Sequence, residues 1–194
     1  MVLFDHRCFG RPACPSEACD REQFDADLCA FLDAEGIERT AIVCQSMGGW
    51  TGLRTTLRHP ERVSCLVLSN TPGGAGTPAV RDALTQASAQ FAARGVGSAA
   101  VAEDFSKRAL EAVFLYTQIG GLNLQASEAL EHGGPAWVAV EDLKKLSAPT
   151  LFATNEQDQL FPPAVIEEIA AAMPGAACIV LPGAGHSPYF EIPE

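Results

Sequence analysis

The segment Cys44-Gln45-Ser46-Met47-Gly48-Gly49 sets a serine between an apolar run, Thr40 to Cys44, and a helical stretch from Met47 to about Arg58. A serine on a tight strand-to-helix turn holds its hydroxyl out above the sheet. Such a turn asks for tiny side chains two residues before and two residues after the serine. Gly48 meets that demand and Cys44 meets it in part. The backbone N–H of Met47, at the helix start, would face any oxyanion formed on a carbonyl that the serine attacks. The same spacing also suits a serine that merely caps a helix, so the rest of the chain must supply a base and an acid.

Four histidines are candidates for the base. His6 follows the first apolar run, Val2 to Phe4, which reads as a short strand. His59 closes a helix beside Pro60, and His132 falls in an inserted helical region as a pocket-lining residue at most. His186 sits in Gly183-Ala184-Gly185-His186, a loop just past the last strand, at the end of the sheet where ligands of parallel sheets bind. The acid should also follow a strand. Ser69-Asn70-Thr71 holds no carboxylate, whereas Asn155-Glu156-Gln157-Asp158 holds two. Asp158 is the best-placed acid, Glu156 its nearest competitor and Asp142 an outside one. Ser46, Asp158 and His186 then follow one of the three known chain orders of a Ser-His-Asp triad.

The elements that must carry these residues alternate along the chain. Asp20 with Gln23 reads as a capping box, and Phe24, Leu28, Phe31 and Leu32 make one helical face that stops at Gly36. Thr40 to Cys44, Val63 to Leu68, Pro149 to Thr154 and Ala177 to Leu181 read as buried strands. A helix from Pro163 to Met173 separates the last two. Continuous apolar strands between amphipathic helices predict an α/β fold, a parallel sheet with helices on both faces. From Pro72 to Leu146 the pattern changes to Ala-rich helical stretches, about Ala79 to Ala93 and Val101 to Leu115. Residues 1–71 and 147–194 are therefore expected to form the core, and 72–146 a helical cap inserted between two strands.

The 194 residues carry a net charge of −11, and no run of basic residues exceeds Lys144-Lys145. That charge repels phosphate backbones and argues against a nucleic-acid partner. The apolar runs are too short to span a bilayer, and the N-terminus lacks the regions of a secretion signal. Seven cysteines leave at least one unpaired, and none shows zinc-site spacing with histidines. Free, partly buried thiols in a reducing cytoplasm are the expectation, with no metal and no cofactor.

Taken end to end, the chain resembles the α/β-hydrolase superfamily, in the branch of small hydrolases with a helical lid. Phe4-Asp5-His6-Arg7-Cys8-Phe9-Gly10-Arg11 is similar to that family's Asp-x-Arg-Gly-x-Gly-x-Ser stretch, with Cys8 at a glycine position and Pro12 at the serine. Gln45-Ser46-Met47-Gly48-Gly49 resembles its nucleophile elbow. His59-Pro60-Glu61-Arg62-Val63, with Leu66-Val67-Leu68, resembles the helix end and strand that come next. The resemblance implies Ser46 as nucleophile, His186 as general base and then acid, and Asp158 as its orienter. It also implies the Met47 N–H as one oxyanion donor, and a small ester or lactone as substrate.

In that family further strands and a His-Gly loop, which gives a second oxyanion donor, precede the Asp-Arg stretch, and a closing helix follows the end. The sequence runs from Met1 to Glu194 without them. The expectation is a fold lacking the first strands, with weak catalysis and a tendency to self-associate. Two classes of reading compete with ester or lactone hydrolysis: within enzymes, carbon–carbon bond hydrolysis of a diketone-like acid or haloperoxidase-like side activity, and outside them a non-catalytic fragment. Trp137, Phe114 and Tyr116 read equally as pocket walls or as core.

Overall fold

Four of the apolar runs pair as strands: β1 (Thr40–Gln45), β2 (Val63–Ser69), β3 (Thr150–Asn155) and β4 (Ala177–Leu181). The computed structural model describes residues 1–7, 9, 20–122 and 137–193. Among these, the strands form one sheet in the order β1-β2-β3-β4, with every neighbouring pair parallel. Parallel neighbours need crossovers. Helix α1 (Phe24–Ala34) leads into β1, α2 (Gly48–Arg58) and a 3₁₀ turn (Pro60–Arg62) join β1 to β2, and α8 (Pro163–Ala172) joins β3 to β4. Between β2 and β3 run α3 (Pro78–Arg94), α4 (Val96–Ala99), α5 (Glu103–Arg108), α6 (Leu110–Gly121) and α7 (Val140–Leu143). A one-turn helix, α9 (Pro188–Glu191), follows β4. Among the described residues, no helix is long and apolar enough to cross a membrane.

Side chains alternate across a sheet, so the register decides which of them share a face. Ile42 pairs with Leu66, Cys44 with Leu68, and Leu68 with Phe152, and all five are buried on one face. Leu53 of α2, Val80 and Ala83 of α3, and Ile166 and Ile169 of α8 join the same cluster, and Leu28 of α1 packs against it. The alternate residues Val43, Val67, Leu151 and Ile179 stand outside that cluster; Val43 is 74% exposed and Ile179 42%. Helices were expected on both faces. The helices of this cluster instead lie against one, because an uninterrupted apolar run marks a strand without saying which of its faces is covered.

Other expectations change at the element ends. Residues 2–4 form no strand: a strand exists through its ladder, and no described strand runs beside them. Phe4 instead packs its ring 5.1 Å from Phe31 and edge-on to His6. The Asp20–Gln23 capping box does not form. Asp20 Oδ1 accepts the Glu22 N–H in a preceding turn, and α1 starts only at Phe24. Gly36 does end α1, at φ 66°, with the Ile37 N–H returned to Leu32 O at 2.8 Å. The stretch Val101 to Leu115 breaks into α5 and α6 at Ala109 (φ −126°, ψ 51°). Helix α5 begins no earlier than Glu103, because Ala102 is extended and its N–H is taken by Glu191 Oε2 at 2.9 Å.

Candidate active site

Ser46 leaves the end of β1 in the left-handed region, at φ 49°. A serine there is strained by about 1 to 3 kcal/mol, and the strain is held by its surroundings. Its N–H donates to Ser69 O of β2 at 3.1 Å. Gly49 and Trp50 donate to Ser46 O and Met47 O to start α2. The Met47 N–H is thus one of the helix-start donors without an intrahelical acceptor. The crowding expected at Gly48 lies further along the helix. A Cβ at Gly48 would meet only Cys44 Cβ, at an ordinary 3.8 Å, whereas at Gly52 it would collide with Cys44 Sγ and at Gly49 with Thr71. Gly52 is what lets a cysteine occupy position 44. Burial pushes that thiol up to about 12.

His186 and Asp158 complete a hydrogen-bonded chain. His186 Nε2 lies 2.7 Å from Ser46 Oγ, and Nδ1 lies 3.0 Å from Asp158 Oδ2. With Nδ1–H donating to the carboxylate, Nε2 is left to accept from the serine. Asp158 is 3% exposed, and its two oxygens accept four hydrogen bonds. Besides His186, Oδ2 takes Asn70 Nδ2 at 2.9 Å, and Oδ1 takes the N–H groups of Leu160 and Phe161 at 2.9 and 3.0 Å. On the other side Gln45 Nε2 donates to His186 O at 2.9 Å. Ser46, Asp158 and His186 are therefore brought together, and the Met47 N–H adjoins them at the helix start.

The competing candidates stand elsewhere. Glu156 is exposed, and Asp142 pairs with Lys145 at 2.6 Å. His6 stacks on Phe24 and shares a hydrogen bond with Thr51, and burial pushes its pKa down. His59 caps the end of α2. His132, Cys8, Cys14, Cys19, Gly10, Arg11 and Pro12 lie outside the described residues.

Beside Ser46 and His186 a cavity of about 250 Å³ opens, with Trp50, Leu84, Phe91, Leu160 and Phe161 as its apolar wall and Arg21 also lining it. Trp137 packs against Trp50, Phe114 is exposed, and Tyr116 shares a 2.8 Å hydrogen bond with Ser187 Oγ. Burial raises the Tyr116 phenol well above its usual range. Sequence reasoning missed Gln45, Asn70 and Glu191, and it named Tyr116 as pocket wall or core without its bond to Ser187. Asn70 had a readable signal, since it directly follows a strand at a left-handed φ of 50°, which Asn tolerates. The others act through main-chain or distant partners that no spacing rule reveals.

A parallel sheet with a serine elbow after one strand, an acid after a later one and a histidine after the last is the arrangement of one fold family. The alpha/beta hydrolase fold family matches residues 1–193, and the chain belongs to it, as an α/β-fold hydrolase. Similar proteins include the provisionally named carbamate hydrolase RutD of Caulobacter sp. (strain K31), 26% identical over all of this chain and 76% of its own length. Among solved structures, Est816, described as an N-acyl homoserine lactone degrading enzyme, superposes at a TM-score of 0.79 with 26% identity. That match covers 97% of this chain and 76% of Est816. A thermophilic esterase from Thermogutta terrifontis superposes at 0.76 with 23% identity, over 97% of this chain and 73% of the esterase, a likeness of fold.

Proposed function

We propose that this hydrolase cleaves a small carboxylic ester or lactone through an acyl-enzyme on Ser46. The observation that carries the reading is the unbroken chain Ser46 Oγ, His186, Asp158 at 2.7 and 3.0 Å, with the serine on its elbow. Ser46 Oγ attacks the carbonyl carbon while His186 Nε2 takes its proton, and Asp158 stabilises the imidazolium and its orientation. The oxyanion faces the Met47 N–H. The intermediate collapses, the C–O bond to the leaving group breaks, and Nε2–H protonates the departing alkoxide. A water, deprotonated by the same nitrogen, then attacks the acyl-enzyme, and the acid leaves as Ser46 regains its proton. A cavity of about 250 Å³ suits a small acyl group, and the lactone-degrading Est816 shares this fold at 26% identity. In this reading residues 72–146 are the cap, whose α3 supplies Leu84 and Phe91 to the wall. The unpaired thiols of Cys29, Cys44, Cys65 and Cys178 suit a cytoplasmic setting.

A fluorophosphonate probe tests it. One serine is expected to be labelled in the folded protein, with Ser46→Ala abolishing the label and lowering kcat on a short aryl ester by about 10⁶. Labelling that persists in the variant overturns the assignment.

A further inference from the structure

We propose that Glu191 is a positioning residue for His186, acting through the main chain of the loop that carries the histidine, and that it fastens this loop to the helical segment between β2 and β3. The proposal rests on the reading of His186 as the general base. The Glu191 carboxylate is buried, and its hydrogen-bond partners among the described residues are all main-chain N–H groups. Oε1 accepts from Gly185 at 3.0 Å and from Ser187 at 3.2 Å. Oε2 accepts from Gly185 at 3.1 Å and from Ala102 at 2.9 Å. Gly185 and Ser187 flank His186, so one carboxylate holds the peptide groups on both sides of the base, while Gln45 holds the carbonyl of His186 itself.

The third donor gives the contact its wider meaning. Ala102 lies between α4 and α5, in the segment that lends its wall to the cavity. A Cβ on Gly185 would collide with the backbone at Val101 and Ala102, so the two chains touch backbone to backbone along this seam. Glu191 bridges the seam, and the Tyr116 hydroxyl of α6 meets Ser187 Oγ as a second tie. A carboxylate is the group this place requires. Three N–H donors converge on it, and an acceptor-only side chain satisfies them all, whereas an amide turns its own NH₂ toward at least one. Burying the charge is unfavourable unless such donors compensate it, and here three main-chain N–H groups do.

Glu191→Gln and Glu191→Asp in the full chain test this, with far-UV circular dichroism as the check of folding. The readouts are the ¹⁵N and ¹H resonances of the His186 ring, assigned by their loss in His186→Gln, together with kcat and KM per fluorophosphonate-titrated site. In Glu191→Gln the His186 resonances are expected to shift or broaden, and kcat to fall about 10- to 100-fold with KM within about twofold, as for a base displaced by a fraction of an ångström to an ångström. Should Glu191→Gln not fold, Glu191→Asp carries the test. It keeps the charge but is one methylene too short to reach Ala102 and both loop amides together. A folded variant of either kind that keeps the wild-type His186 resonances and wild-type kcat overturns the proposal. Failure of the hydrolase reading looks different: wild-type protein neither labelled nor active, with the ring resonances still reporting on Glu191.

Discussion

The two faces of the sheet differ more than its four strands do. On one face Cys44, Leu66, Leu68 and Phe152 are buried beneath α2, α3 and α8; on the other Val43 and Ile179 are exposed. All-parallel sheets are ordinarily covered on both faces, so this asymmetry separates two roles that usually coincide. The ladder hydrogen bonds hold the register of each strand, and they serve both faces equally. Anchoring of β1 and β3, whose ends release Ser46 and Asp158, comes from the covered face. No residue of β4 is buried, and the loop that carries His186 is held by Gln45 and Glu191. On the covered face Gly52 of α2 admits the Cys44 thiol just below the elbow, and Phe152 sits three residues before the end of β3.

The largest effect should come from the polar end of that anchored assembly. Asp158 receives four donors, and replacing it with Asn puts an NH₂ where a lone pair was needed and lets His186 take the wrong tautomer. Asp158→Asn is expected to lower kcat by about 10⁴. Steady-state turnover of an aryl ester checks this. Near-wild-type turnover in that variant, with Glu156→Gln crippled instead, would transfer the role to Glu156.

One step down lies the apolar anchor itself. Phe152→Ala removes a fully buried ring from the covered face and should destabilise the protein by about 3 to 5 kcal/mol. Urea denaturation followed by circular dichroism measures it. A loss below about 1 kcal/mol would mean that the covered face is not where the sheet is held.

Much of this assembly was legible in the sequence, and the reason is topological. In a parallel sheet the carboxyl ends converge, so a serine, an acid and a histidine that each directly follow an apolar run are brought together whatever the distance between them along the chain. The strands were legible as apolar runs to within a residue or so at their ends. What stayed hidden depends on partners that no local pattern encodes. Residues 2–4 look like a strand, but strandedness belongs to a pair. Residues 101–115 favour one helix by propensity, yet the chain breaks at Ala109, and α5 starts only after Ala102, an extended residue whose N–H is taken by Glu191. Gln45 was invisible for the same reason, since its partner His186 lies 141 residues away, and so was the bond from Ala102 to Glu191, 89 residues away.

The smallest effect is expected on the open face, and it tests the comparison most directly. Val43 lies in β1, 74% exposed, so exchanging it for threonine adds a hydroxyl to a solvated site while keeping the β-branched shape that suits a strand. Its neighbours in register, Thr40 to Gln45 against Val63 to Ser69, keep their ladder bonds. Val43→Thr should therefore change stability by no more than about 0.5 kcal/mol and leave kcat untouched. Its Tm should be the same at low and high protein concentration. A loss above about 1 kcal/mol would mean that Val43 is covered in solution, and a Tm that then rises with concentration would identify a second copy of the chain as the cover. In that case the asymmetry between the faces belongs to the isolated chain, and the contact between copies supplies the anchoring that the open face lacks.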